Sequence, residues 1–207
     1  MNSSIKEHWN NTYKSKPAEQ LGWYETDLSS SFELITKTEI DTAARILTIG
    51  AGSTTLVDAL VEKGSSNIIA HDISEVALKL LSERIGNNDV LECIVDDLTT
   101  PIALKQIEAI DLWIDRAVLH FLTEEKDINT YFQLLDETLK SKGFAFFAEF
   151  ALDGAKKCSG LPVKQYSVAM LNEKLGSNYR LIHSFDYNYT MPSGNKRPYI
   201  YALFQKK

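Results

Sequence analysis

Four short groups stand at the ends of successive apolar runs: Gly50-Ala51-Gly52, Asp72, Asp97 and Asp115-Arg116. Asp72 lies 20 residues after Gly52, the separation at which a carboxylate reaches the two ribose hydroxyls of an adenosine-type ligand. A carboxylate suits that task because it accepts hydrogen bonds from both vicinal hydroxyls. The Gly-x-Gly turn accepts positive φ and lets a ligand come close to the backbone. The helix start beyond it offers unpaired N–H groups to an oxygen-rich ligand. Each feature has a plain alternative: such turns also serve as tight connections, and single acids at strand ends also cap helices. Four in register are harder to explain that way.

The elements that hold these groups alternate. An apolar run at 46–49 suits a strand buried on both faces and leads through the glycines into a helix over 55–63. A second strand over 67–72 ends on Asp72, and Ser74 is the expected N-cap of a helix over 75–85, with Val76-Ala77, Leu80-Leu81 and Ile85 inward. A third strand, 91–95, precedes Asp96-Asp97-Leu98, and a fourth, 109–114, precedes Asp115-Arg116. A helix over 127–140, stopped by Gly143, leads to a fifth strand over 144–150. Upstream, the first helical pattern is 28–38, with Phe32 and Ile35 on one face. Downstream, 179–186 and 198–204 around Met191-Pro192-Ser193-Gly194-Asn195 read as an antiparallel hairpin. The pattern predicts an α/β, doubly wound, mostly parallel sheet closed by a C-terminal antiparallel hairpin.

The 207 residues suit one domain, with residues 1–40 as an N-terminal arm and first helix and 41–207 as the core. A net charge of −6 without a Lys/Arg stripe argues against a sequence-independent grip on nucleic acid. Cys93 and Cys158 make neither a disulfide framework nor a metal-ligand cluster, so no metal is expected, and Cys158 reads as an ordinary thiol bordering the pocket. The first residues lack the apolar core of a signal peptide, and the longest apolar stretch, 144–152, is interrupted by Glu149 and too short for a bilayer. The expectation is a cytoplasmic protein with no membrane partner, monomeric or weakly dimeric.

Two adenosine cofactors compete for the site. A dinucleotide site wants a third glycine where Thr55 stands. S-adenosyl-L-methionine better accounts for an acid after strands 2 and 3 together with the closing hairpin. Gly50-Ala51-Gly52, His71-Asp72-Ile73-Ser74, Val95-Asp96-Asp97-Leu98 and Trp113-Ile114-Asp115-Arg116-Ala117 resemble the successive motifs of class I S-adenosylmethionine-dependent methyltransferases. The resemblance covers about residues 20–207 and implies a Rossmann-like sheet of seven strands. The stretch from Asp111 to Gly143, with the early Trp9, Trp23 and Tyr24, is similar to the thiopurine S-methyltransferase-like branch.

That resemblance implies that Gly50, Ala51, Gly52 and Ser53 pass beside the cofactor's methionine and ribose part, with Trp23 nearby. It implies that Asp72 holds the ribose hydroxyls, Ile73 lies against adenine, Asp97 takes the adenine amino group and the Leu98 backbone is close. Thr48 stands where the family usually has an acid, so the methionine ammonium falls to backbone carbonyls near Asp115 and to water. Near the transferred methyl the same reading places Asp115, Arg116, His120, Trp9, Tyr13, Trp23 and Tyr24. Arg116 either holds an anionic substrate or pairs with a neighbouring acid; His120 is either a base or a structural histidine. The early aromatics are either a cap over the pocket or a packing arm.

No Asn-Pro-Pro-Tyr-type motif follows strand 4, which argues against amino methylation of bases. The expected acceptor is a small molecule, a thiol or other anionic nucleophile. A protein lysine is the alternative, and a non-catalytic cofactor-binding module the second.

Overall fold

The computed structural model describes residues 3–52, 54–86 and 89–207. Among these, seven strands form one sheet: β1 (Ile46–Ile49), β2 (Ile68–Asp72), β3 (Leu91–Val95), β4 (Ile110–Arg116), β5 (Leu139–Phe150), β8 (Tyr179–Thr190) and β9 (Lys196–Lys206). Two short strands, β6 (Lys157–Cys158) and β7 (Leu161–Pro162), pair with each other. The sheet order is β3-β2-β1-β4-β5-β9-β8. All neighbours are parallel except β9, which runs against both β5 and β8.

β1 carries the topology. Ile46 is in register with Ile68 on one side and Leu112 on the other, so strand order reverses at β1 and a crevice opens outside its carboxyl end. All four β1 residues are buried, because helices cover both faces of the sheet. On one face, Leu47, Ile49 and Trp113 pack with Tyr131 and Leu135 of α5 (Glu125–Thr138) and Leu171 of α6 (Val168–Leu175). On the other, Ile46, Leu112 and Ile114 pack with α2 (Ser29–Ile35), α3 (Leu56–Glu62) and α4 (Glu75–Ile85).

Several boundaries differ from the sequence reading. β4 runs two residues further than expected, so Asp115 and Arg116 belong to the strand itself. On α4 the buried face is Ala77, Leu78 and Leu81, while Leu80 is 42% exposed, a rotation of the expected stripe. α5 passes straight into β5, and the left-handed residue is Lys142 (φ +69°), inside β5 where its register against β4 shifts, and not Gly143. Gly143 is required for a different reason: a Cβ there would meet the Lys140 and Ile110 carbonyl oxygens at 2.9 and 3.0 Å. The first helix is α1 (Ser3–Ser15), which the polar composition of the arm concealed, and α6 and the β6/β7 pair were also not anticipated.

Candidate functional site

The β1 turn is built on its neighbour. The Ala51 N–H donates to the His71 carbonyl at 2.7 Å, and the Gly52 N–H donates to Asp72 Oδ2 at 2.9 Å. Gly50 (φ +57°) and Gly52 (φ +50°) both adopt the left-handed conformation that favours glycine. A Cβ on Gly50 would strike a Val118 methyl, and one on Gly52 would strike the Tyr13 hydroxyl. Asp72 is fixed from its other oxygen, since the Ser74 N–H donates to Oδ1 at 2.8 Å. Ser74 then caps α4 by accepting the Ala77 N–H.

Gly50, His71, Asp72, Tyr13 and Val118 border a cavity of about 330 Å³ at the carboxyl ends of the strands. Gly50, Asp72, Ile73, Asp97 and Leu98 line it, together with Arg116, Val118, Phe121, Cys158 and Tyr199. By sheet order the first five belong to the β1–β3 side and Tyr199 to the β9 side, where Arg197 of β9 also meets Cys158. The roof is α1 and the segment after it. Ile5, Trp9, Tyr13 and Trp23 face the cavity, and Trp9 meets Phe121 and Trp23 edge-on at 5.0 and 5.6 Å. The Ser74 hydroxyl donates to Asn10 Oδ1 at 2.7 Å and Lys6 lies 3.5 Å from Glu75, so α1 is pinned to the start of α4.

Burial sets the charges. Burial lifts the Asp72 carboxyl to about 6, although the N–H groups of Ser74, Gly52 and Ile73 hold it down in part. Burial likewise drops His71 to about 4, so its imidazole is neutral at pH 7. Asp96 serves the loop: it accepts the backbone N–H groups of Asp97, Ile102 and Leu104, each at 2.9 Å. Asp97 binds Thr99 through one oxygen, accepting its N–H and hydroxyl.

The two ends of the expected site fare differently. Gly50, Asp72, Ile73, Asp97, Leu98, Trp23 and Arg116 all reach the main cavity. Ala51 borders a smaller one of about 40 Å³ beside Thr48 and Arg116, and Ser53 lies outside the described residues. Asp115 and His120 are not in the cavity wall; both are fully buried beneath it. Because β4 extends through Asp115, its carboxylate points into the protein and accepts the Val118 and Leu119 N–H groups and the Tyr131 hydroxyl. Burial, then the nearby Glu149, push its pKa well above the ordinary range. His120 pairs its Nδ1 with Glu149 Oε2 at 2.7 Å. Arg116 finds an acid, but it is Glu25 of the arm, at 2.8 Å, and not Asp115. Thr48 is buried and its hydroxyl donates to the Ile69 carbonyl at 3.2 Å, so it adds no charge to the cavity.

Sequence reasoning passed over Glu25 and Glu149. Glu149 did carry a signal, as the acid interrupting an otherwise apolar run; Glu25 carried none, being one acid of a polar arm.

Residues 47–147 match the model of a methyltransferase domain. That stretch includes the glycine turn and all four strand ends. No curated protein matches the chain. Among solved structures it is similar to an S-adenosylmethionine-dependent methyltransferase from Anabaena variabilis (14% identity, TM-score 0.81, 99% of this chain and 94% of that one). It is also similar to the 1,6-didemethyltoxoflavin-N1-methyltransferase of Burkholderia thailandensis, crystallised with 1,6-didemethyltoxoflavin and S-adenosylhomocysteine (16%, TM-score 0.70, 99% and 85%). A third is the N-methyltransferase NodS of Bradyrhizobium japonicum, crystallised with S-adenosylhomocysteine (15%, TM-score 0.63, 99% and 97%). The likeness bears out the α/β fold, with its mostly parallel seven-stranded sheet and C-terminal hairpin. Among the described residues, no helix is long and apolar enough to cross a membrane.

Proposed function

We propose that this chain is a single-domain S-adenosylmethionine-dependent methyltransferase acting on a small molecule. The observation that carries the reading is the Asp72 carboxylate, clamped at the cavity by the Gly52 and Ser74 N–H groups. The residues fit the cofactor: the raised Asp72 pKa marks a buried acid that would gain from hydroxyl donors, and the two left-handed glycines add no side chain of their own to the turn, which Val118 and Tyr13 border. In this reading Asp72 holds the ribose hydroxyls, Ile73 and Leu98 flank adenine, and Asp97 accepts from its amino group. Gly50, Ala51 and Gly52 pass the methionine part, with Trp23 over it; the backbone, and not Thr48, serves its ammonium.

When bound, the cofactor would supply an electrophilic methyl group on a sulfonium, whose thioether is the leaving group. The protein's share is positioning and exclusion of water. Trp9, Tyr13 and Trp23 close the roof, and an aromatic face beside a sulfonium contributes about 0.5–2 kcal/mol. Asp115 acts as a positioning residue, fixing the 117–119 turn against Gly50. His120 stands one layer back from the acceptor.

The closed aromatic roof supports a small acceptor over a protein lysine. A thiol or other anionic nucleophile, as in the thiopurine-like branch, is supported by Arg116 at the cavity wall, with its charge shared with Glu25. Titration with S-adenosylhomocysteine and NAD, followed by labelled methyl transfer to thiols, small acids and cell lysate, tests the proposal. NAD binding without any S-adenosylhomocysteine response overturns it, and label entering only lysate protein overturns the small acceptor.

A further inference from the structure

Cys158 stands in the cavity wall with a set of partners that the methyl-transfer reading does not use. It is a free cysteine, 7% exposed, at the end of β6. Arg197 Nη1 donates to its sulfur at 3.4 Å, and that guanidinium lies over the Phe150 ring at 5.4 Å. The His120 ring stacks on the same Phe150, 4.5 Å between centroids and 27° between planes. Phe150 is thus the common platform that brings imidazole and guanidinium to one sulfur.

The imidazole has a defined proton arrangement. Glu149 Oε2 accepts the His120 backbone N–H at 3.2 Å and sits 2.7 Å from Nδ1; with the carboxyl proton on Oε1, Oε2 accepts from the ring as well, which assigns the ring proton to Nδ1. Nε2 then carries the lone pair. It is fully buried and makes no directed hydrogen bond with any described residue, a costly state for a polar atom unless it serves a neighbour. The neighbour it acts on is the Cys158 thiol. Burial raises that thiol's pKa, but His120 first, and Arg197 after it, outweigh burial and hold it below the ordinary range.

We infer that Cys158 is a nucleophilic thiol, served by His120 as base, which Glu149 orients, and by Arg197 as thiolate partner, and that it is a covalent site for soft carbon electrophiles entering the cavity. The S–H proton passes to Nε2, and the sulfur lone pair forms an S–C bond. With a haloacetamide the halide leaves. With an α,β-unsaturated carbonyl the carbanion formed takes the proton back from the imidazolium. Neither step needs an oxidant, and neither depends on the cofactor.

Cys93 is the internal control. It is exposed on β3, and burial of its sulfur and then Glu92 raise its pKa. The experiment is iodoacetamide labelling of the full chain without cofactor, read at each cysteine by mass spectrometry between pH 5 and 9. At pH 7 Cys158 is expected to react about tenfold or more faster than Cys93, because the thiolate is the reacting form. Its rate should reach half-maximum at lower pH. His120→Asn should slow Cys158 and not Cys93. Because His120 is buried, Arg197→Gln provides the second variant and should slow Cys158 several-fold in a protein of unchanged melting temperature. Labelling of Cys158 no faster than Cys93, or a rate unmoved by Arg197→Gln, overturns the inference.

Discussion

Arg116, the last residue of β4, forms a buried ion pair with Glu25 at 2.8 Å, and Arg116 Nη1 also donates to the Trp23 carbonyl at 3.1 Å. One side chain therefore ties the arm to the centre of the sheet at the edge of the cavity. Tyr189 adds a ring 5.4 Å from the guanidinium. Burial of Glu25 raises its pKa and Arg116 opposes that, so the acid depends on the arginine to stay charged.

Removing one partner of a buried pair leaves the other uncompensated and costs about 3–5 kcal/mol. Arg116→Ala and Glu25→Gln are each expected to lower the urea midpoint and loosen the arm. Arg116→Met with Glu25→Leu should recover much of that loss, because no buried charge remains. If both single variants unfold like the natural protein, the pair does not anchor the arm.

Asp72 and Asp96 should separate binding from folding. Asp72→Ala removes a carboxylate at the cavity and is expected to weaken S-adenosylhomocysteine binding by about 1.5–3 kcal/mol, the range for charge-assisted bonds. Asp96→Ala strips the partner from three backbone N–H groups and should act on stability first. Calorimetric titration and thermal unfolding of both variants check this; equal losses of affinity would contradict the division.

The cavity groups at the ends of β1, β2 and β3 were legible because their signals are local. Apolar runs, glycines and a Ser74 cap sit within a few residues of the side chains they place. The groups at the end of β4 were not. Two extra residues on β4 turned Asp115 from a cavity group into an internal one, and the partners of Arg116 and His120 come from distant segments. α1 carried a narrow stripe, Ile5, Trp9 and Tyr13 at four-residue spacing, but polar residues on its other faces hid it.

Trp9 decides whether α1 is a roof or only a packing arm. It touches Phe121 and Trp23 edge-on, contacts worth about 0.5–1.5 kcal/mol each. If α1 closes the cavity, Trp9→Ala should reduce S-adenosylhomocysteine affinity about tenfold, with a smaller change in urea midpoint than Glu25→Gln. Trp9→Phe should restore most of it. Unchanged affinity in Trp9→Ala would make α1 a packing arm.

Stability and binding should respond to pH in opposite directions. Burial raises Asp72 from 3.8 to about 6 and Glu149 from 4.5 to about 8. In each case the folded protein holds a proton that the unfolded chain has already released, so the folded form binds more protons across that window. Through Asp72 stability falls as pH rises from about 4 to 6, but His71, held at about 4 against 6.5 when unfolded, raises it by a similar amount over that window, so the net fall belongs to Glu149 and runs to about pH 8. Glu149→Gln should flatten the upper part of that slope. Ribose hydroxyls donate to the charged carboxylate, so S-adenosylhomocysteine affinity should rise through pH 6 and then level off. Tyr13, Gly52 and Ser74 are the groups around Asp72, and Tyr13 stays protonated throughout, its pKa raised by burial and by Asp72 itself. Asp72→Asn should remove the rise in affinity and keep the part of the stability slope that belongs to Glu149. Affinity independent of pH between 5 and 7.5 in the natural protein would show that Asp72 is not the group that meets the ribose.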